Sequence, residues 1–303
     1  MKQILITSWV FLTLSCTLAA QAVAEREAQV GAYLDSIRDY PVALTAFFQQ
    51  MPKGADLHHH FTGSVYTETY VEHALASNDL YINPTTLEVA EERPRNGRRD
   101  WLPMPEWRQQ VGDYEAHRQL LRYWSAMDFV PGQVTSYDDF FDTFGRFWVG
   151  EGPNFGLEGL MELKARAEAE HVDYIETMLF RVKPLPDIAQ AAFYDQLMRA
   201  TQAARDEVTL DSLFRVLTAR FEQLDFSSVV DAHNRRIQGL HEAVFPEGVF
   251  HACMFRYQNY AIRNQDPTAL FAELYADFLS ASRTELVVGV NIVAPEHHPI
   301  ALG

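Results

Sequence analysis

Residues 51–64 read MPKGADLHHHFTGS, and the order of residue types in this stretch decides the fold. A Pro-Lys-Gly break ends the helical pattern that precedes it, and Ala55 to Phe61 is predicted to form a short strand. Thr62-Gly63-Ser64 can turn the chain and cap a helix that runs to about Asn78. The stretch therefore predicts a strand, a tight turn and a helix, which is the unit of parallel α/β folds.

Three consecutive histidines occupy the end of this strand. Side chains alternate between the two faces of a strand, so we expect His58 and His60 to project to one side, about 6.6 Å apart along the strand, and His59 to the other. Two imidazoles on one face can share a metal ion, although solvated surface histidines would give the same pattern. His59 is predicted to be structural.

Apolar runs predict three further strands, separated by helices. The strands are expected at Val172–Phe180, Val249–Phe255 and Glu285–Val293, and the last run is nearly continuous, which is typical of a parallel strand covered on both faces. Helices are predicted at about 24–50, 109–127, 137–148, 157–171, 187–205, 210–224 with an extension to 244, and 268–282. Residues 80–132 are interpreted as an insertion with one helix.

The composition excludes several classes of protein. The chain has 303 residues, 48% of them hydrophobic and 22% charged, which indicates a globular protein of one or two domains. Its 25 Lys and Arg against 41 Asp and Glu give a formal charge of −16, so a nucleic-acid partner is not expected. With Cys16 and Cys253 alone, a metal site must use histidines and carboxylates.

The first 24 residues are typical of a signal peptide. Lys2 supplies a positive start, Ile4 to Ala20 is mostly apolar, and Ala22-Val23-Ala24 fits a cleavage site. We therefore expect an exported protein, periplasmic or secreted, that begins with a helical segment over residues 25–50 and has no stable membrane span after cleavage. An uncleaved anchor is the alternative.

Residues 51–64 resemble the adenosine deaminase family, especially its exported bacterial and growth-factor-like branches. The family carries Met-Pro-Lys, Leu-His-x-His and a following Gly, and Val172–Phe180, Cys253–Arg256 and Val287–Glu296 match later segments more loosely. The resemblance implies a metal-dependent hydrolase (β/α)₈ TIM barrel and one Zn²⁺, with His58 and His60 as its first two ligands. It also implies hydrolysis of adenosine, or 2′-deoxyadenosine, to inosine and ammonia.

The resemblance also assigns substrate contacts, with two departures. His60, Thr62 and Ala294 correspond to substrate-binding positions. Thr62 stands where the family usually has a carboxylate, and it can still hydrogen-bond a ribose hydroxyl. Ala294 stands where the family more often has a glycine whose backbone approaches the purine, and Pro295 has no amide hydrogen to donate.

The number of strands limits what the chain can do alone. Residues 51–303 contain four predicted strands, whereas the family's third His ligand, catalytic acid, base histidine and Asp ligand lie on later strands. We therefore expect no catalytic residue within this chain, which would be a truncated part of the barrel and inactive alone. The alternative is a non-catalytic product that binds nucleoside, metal or a partner, and the oligomeric state stays open.

Other constellations have simpler interpretations. Asp138-Asp139-Phe140-Phe141-Asp142 fits a magnesium-diphosphate pattern, but Ser136 with Asp139 is expected to be an ordinary capping box. His241-Glu242 is interpreted as a surface pair and residues 150–156 as a loop. His297-His298 follows the fourth strand and is interpreted as loop histidines that could approach a barrel mouth.

Overall fold

The structure is a computed structural model, and it describes residues 23–148, 155–183 and 192–302. The predicted signal peptide lies almost entirely outside these residues. The chain divides into two compact units at Lys53. Among the described residues, none of the helices combines the length and apolar character needed to cross a membrane.

The described part of the first unit, from residue 23 onward, contains two helices, α1 over residues 23–37 and α2 over Pro41–Gln50. The sequence predicted one helix over 24–50, and the difference arises at Tyr40. Its backbone is extended, at φ −113° and ψ 92°, because a residue that precedes a proline is pushed out of the helical region.

The second unit alternates strands with helices. Its elements are β1 Gly54–His60, α3 Phe61–Ser64, α4 Thr67–Ala76, β2 Tyr81–Ile82, β3 Val89–Ala90, β4 Leu102–Pro103, α5 Met104–Val111, α6 Asp113–Trp124, α7 Ser136–Phe147, α8 Phe155–Ala169, β5 Val172–Met178, α9 Ala192–Ala203, α10 Glu207–Gln223, α11 Phe226–Val244, β6 Met254–Ile262, α12 Pro267–Ala281, β7 Val287–Val293 and α13 Pro299–Leu302. The predicted turn at 62–64 lies within the single turn of α3.

Among the described residues, the larger sheet has four parallel strands in the order β1-β5-β6-β7. The order in the sheet is the order in the chain, so every crossover runs in the same direction and the sheet curls. The prediction of an α/β fold with four parallel strands is confirmed, and closure into an eight-stranded barrel stays a prediction.

The third predicted strand, Val249–Phe255, was placed wrongly. The strand is Met254–Ile262, and Phe250, the second residue of the predicted strand, is 90% exposed. Polar residues inside the true strand concealed it. Asn259 is fully buried there because His233 Nε2 lies 2.9 Å from its Oδ1, so its amide is satisfied.

The prediction that the last strand is covered on both faces is also wrong. In the described part of the chain β7 pairs only with β6, and Val288 and Ile292 are 46% and 37% exposed. An apolar run can therefore occupy the edge of a parallel sheet, and periodicity alone cannot distinguish the edge from the centre.

The segment over residues 80–132 contains more structure than the single predicted helix. The short strands β2, β3 and β4 form an antiparallel sheet in the order β3-β2-β4. The helix predicted over 109–127 is divided into α5 and α6 at Gly112, whose φ of +86° favours glycine.

A close contact fixes the end of β1 against α8. Gly159 lies so near Phe61 that a Cβ at this position would stand 2.7 Å from the ring, and Phe61 is 1% exposed. Phe61 follows His60 directly, so this contact holds the carboxyl end of β1 in place.

A carboxyl group on α12, that of Asp277, is buried without hydrogen bonds strong enough to offset the cost of burying its charge. Asp277 is 1% exposed, and neither of its oxygens has a partner in good hydrogen-bond geometry. Burial, reinforced by the charge of Glu273, raises the pKa of Asp277 to about 7, and Arg181 and the Val182 amide oppose the shift more weakly.

We expect Asp277→Asn to stabilise the protein at pH 8. The folded-state pKa is raised above that of the unfolded chain, so the unfolding free energy of the native protein falls as the pH rises from about 4 to about 7. Asparagine does not ionise, so Asp277→Asn removes this pH-dependent loss of unfolding free energy. A pKa shift of that size corresponds to roughly 1–4 kcal/mol. Urea unfolding at pH 5 and pH 8 measures it, with the exposed Asp79→Asn as control. Equal pH dependence in the native protein and Asp277→Asn would contradict the assignment.

Candidate metal centre

A cavity of about 1240 Å³ opens at the carboxyl ends of the parallel strands. This is the end at which ligand sites of parallel α/β folds lie. The cavity is lined by the end of β1 and the α3 turn, the ends of β5, β6 and β7, the segment after β7, and one face of α7.

The structure brings His58 and His60 together at this end of β1. Their Nε2 atoms lie 3.3 Å apart and their ring centroids 5.1 Å apart. His59 makes a different contact, because its Nδ1 lies 2.8 Å from Thr177 Oγ1 on β5. The placement follows the alternation expected for a strand, and the role of His58 and His60 as metal ligands stays a prediction.

The spacing of these nitrogens fits one zinc ion. In a tetrahedral site with Zn–N distances of about 2.0–2.1 Å, two ligand nitrogens stand about 3.3–3.4 Å apart. A catalytic zinc needs at least three protein ligands, and the described residues contain no group of three or more His, Cys, Asp and Glu that could hold a metal. The nearby Asp56 Oδ1 accepts a hydrogen bond from the His58 amide at 3.1 Å. The described residues thus offer two candidate ligands, His58 and His60, whose spacing fits part of a zinc site.

The electrostatics of the site favour a neutral ligand. Burial lowers the pKa of His60, and the neighbouring His58 lowers it further. Burial also lowers the pKa of His59. Metals bind the neutral imidazole, so the environment of His60 keeps it in the form that can bind.

The three residues that the resemblance assigns to substrate contacts, His60, Thr62 and Ala294, all line the cavity. Thr62 belongs to the α3 turn, where its carbonyl accepts a hydrogen bond from Tyr70 at 2.7 Å. Ala294 follows β7 with φ +90°, a conformation that costs energy for any residue with a side chain. A glycine would occupy this conformation without strain, which agrees with the family preference stated above.

Sequence reasoning missed the aromatic wall of the cavity. Tyr137, Phe140, Phe141 and Phe144 all line it from α7, and Phe140 is 52% exposed. Their spacing of three, one and three residues puts them on one face of the helix, and this signal was available in the sequence.

The carboxylates of α7 have local roles. Thr135, not the predicted Ser136, caps the helix by accepting a hydrogen bond from the Asp138 amide at 3.0 Å. Asp142 lies 3.5 Å from Arg146 in an ion pair. These contacts fit the capping interpretation better than a diphosphate site.

The structure places the other histidines singled out in the sequence, His241, His297 and His298, in three different settings. His297 lines the cavity, with its ring centroid 4.4 Å from that of Tyr137, and His298 accepts a hydrogen bond from the Ile300 amide. His241 is not a surface pair with Glu242: its Nδ1 lies 3.2 Å from the Tyr257 hydroxyl, and burial lowers its pKa. Most of residues 150–156 lies outside the described residues.

No protein-family model and no curated protein matches the chain. Among solved structures, an amidohydrolase from Burkhoderia ambifaria with bound zinc is 16% identical, with a TM-score of 0.38. The match covers 86% of this chain and 49% of that one, so the chain spans about half the length of that structure.

Proposed function

We propose that this chain is the zinc- and nucleoside-binding part of an exported adenosine deaminase. The observation that carries the proposal is the 3.3 Å separation of His58 Nε2 and His60 Nε2 in an open cavity at the carboxyl end of a parallel sheet. The resemblance of residues 51–64 to the deaminase family supports adenosine, or 2′-deoxyadenosine, as the substrate.

The proposal assigns a role to each group of residues that lines the cavity. Zinc, when bound, supplies the Lewis acidity that makes water nucleophilic at neutral pH. His58 and His60 hold the metal. The aromatic face of α7 excludes water and offers flat surfaces against which a purine can lie. Thr62 donates a hydrogen bond to a ribose hydroxyl, and the backbone at Ala294 borders the base. The third ligand and the proton-transferring groups come from outside the described residues.

A second function is favoured by the number of metal donors. The described residues provide two candidate ligands, which favours the alternative that the chain is a non-catalytic product that binds nucleoside, metal or a partner. The deaminase function requires zinc and adenosine to bind in the same cavity, whereas the alternative requires only one of the ligands to bind. They differ in whether the complete protein converts adenosine to inosine.

Binding of adenosine tests the proposal, and Thr62→Ala is its sharpest variant. In the zinc-supplemented full chain we expect Thr62→Ala to weaken adenosine binding about 2–10-fold, because one hydrogen bond to the sugar contributes roughly 0.5–1.5 kcal/mol. In an active complete protein the same change should raise KM more than it lowers kcat. The contact is remote from C6 of the purine, where the reaction occurs, so it stabilises the bound substrate and the transition state about equally.

Adenine and Thr62→Ser serve as controls, and isothermal titration calorimetry gives the affinities. Adenine lacks the sugar, so its affinity should not respond to Thr62→Ala, and Thr62→Ser should retain adenosine affinity. Absence of adenosine binding by the zinc-supplemented chain would contradict the proposed function. An adenosine affinity that is unchanged in Thr62→Ala would show that Thr62 does not contact the sugar.

A further inference from the structure

Asn291 on β7 contacts the candidate zinc ligand His58, and the two residues are 233 positions apart in the sequence. We propose that Asn291 is a positioning residue that holds His58 in the tautomer with its proton on Nε2, and that it thereby weakens metal binding. The effect on metal binding rests on the proposed function, whereas the tautomer of His58 is a property of the metal-free chain.

The orientation of the Asn291 amide is the first step. Its Nδ2 lies 3.2 Å from His58 Nδ1, and its Oδ1 accepts a hydrogen bond from the Ile292 amide at 2.8 Å. The nitrogen and oxygen of a side-chain amide are distinguished by their partners. Because a backbone N–H can only donate, Ile292 fixes Oδ1 on its own side and turns Nδ2 toward His58.

Gln258 on β6 fixes the same orientation independently. Its Nε2 donates to the Leu57 carbonyl at 3.1 Å and to Glu176 Oε2 at 2.8 Å. A backbone carbonyl can only accept, so Gln258 Oε1 must face the other way, where it accepts from Asn291 Nδ2 at 3.4 Å. Two backbone groups on different strands therefore impose one direction on the chain of hydrogen bonds that ends at His58.

This direction determines the tautomer of His58. Since Nδ1 faces an N–H donor, it must be the unprotonated nitrogen, and the proton lies on Nε2, which faces His60 Nε2. A histidine that binds a metal through Nε2 instead carries its proton on Nδ1 and donates it to a carboxylate or carbonyl. That proton would point at the Asn291 NH₂ group, so metal binding requires the amide to turn and leave Ile292.

An acceptor at position 291 would remove the conflict. The carboxylate of Asn291→Asp can accept from His58 Nδ1–H and from the Ile292 amide together, and it gives up the long contact with Gln258. Outer partners of metal-binding histidines change metal affinity by about 10–100-fold, and we expect a gain in this range. Val293→Asp is the matched control, because it adds the same charge two residues along β7, in the same cavity, without the contact to Nδ1.

The first measurement is the tautomer of His58 in the metal-free full chain. Long-range ¹H–¹⁵N NMR at about pH 8, where free imidazoles are neutral, identifies the protonated nitrogen, and the spectrum of His58→Gln assigns the signal. We expect the proton on Nε2 in the native chain and on Nδ1 in Asn291→Asp. A proton on Nδ1 in the native chain would overturn the proposal.

The second measurement is zinc affinity by competition with a chromophoric chelator. We expect Asn291→Asp to bind zinc about 10–100-fold more tightly than the native chain, and Val293→Asp to gain less than about 3-fold. Equal gains in both variants, or no gain in Asn291→Asp, would overturn the effect on metal binding. If no variant binds zinc, the proposed function fails, whereas the expected tautomers would still support the positioning of His58.

Discussion

The purified 303-residue chain, supplied with zinc and adenosine, is expected to form no detectable inosine. The described residues offer two candidate metal ligands and no group of three that could hold a metal, whereas a catalytic zinc needs at least three protein ligands. The two carboxylates that line the cavity among these residues have local partners, because Asp56 accepts a hydrogen bond from the His58 amide and Glu296 pairs with Arg263 at 2.9 Å. A positioned general acid or base contributes about 10²–10⁴-fold, so the loss of such groups together with a ligand removes measurable turnover.

The assay follows the absorbance change on conversion of adenosine to inosine. A parallel preparation of His60→Ala controls for contaminating deaminase, because a contaminant would be equally active in both samples. Turnover that persists through further purification and disappears in His60→Ala would contradict this prediction. It would show that the chain completes its own catalytic site, either within one copy or between copies.

Removal of either candidate ligand is expected to abolish zinc binding. Loss of an outer partner costs about 10–100-fold in metal affinity, so His58→Ala and His60→Ala, which remove ligands themselves, should each cost at least about 100-fold. His59→Ala should be much milder, because His59 is directed toward Thr177 rather than toward the other two rings.

His59→Ala is the matched control for these two variants, since it changes the neighbouring residue of the same strand. Zinc affinity is measured by chelator competition, and thermal unfolding checks that each variant folds. His59→Ala should lose about 1 kcal/mol of stability with its hydrogen bond to Thr177, and it should retain zinc. Equal loss of zinc affinity in all three variants would contradict the assignment of faces.

The sequence located the strands that are bounded by clear breaks or that have a mostly apolar interior. The break at Pro52 and the turn after Phe61 bound a strand that the structure places at Gly54–His60, and alternation along it correctly groups His58 with His60. The later parallel strands at Val172–Met178 and Val287–Val293 begin within two residues of their predicted starts. The last of these strands is a nearly continuous apolar run, and the first is marked by the breaks at its two ends.

The sequence did not reveal a strand whose polar residues are buried, or contacts between residues that are far apart along the chain. In β6, Gln258 and Asn259 are buried and hydrogen-bonded, so the strand lacks the apolar run that would reveal it. The contact between His58 and Asn291 depends on the register of four strands, which no local pattern encodes. The aromatic face of α7 was visible as a pattern, but its position over the cavity was not.

The central claim, that His58 and His60 hold one zinc ion, is tested most directly by locating the metal. Crystals of the full chain grown with Zn²⁺ can be measured at the zinc absorption edge, and an anomalous difference map then shows the ion. We predict one peak within about 2.0–2.1 Å of both His58 Nε2 and His60 Nε2. A peak elsewhere, such as at His297 and His298, with none between His58 and His60, would contradict the claim.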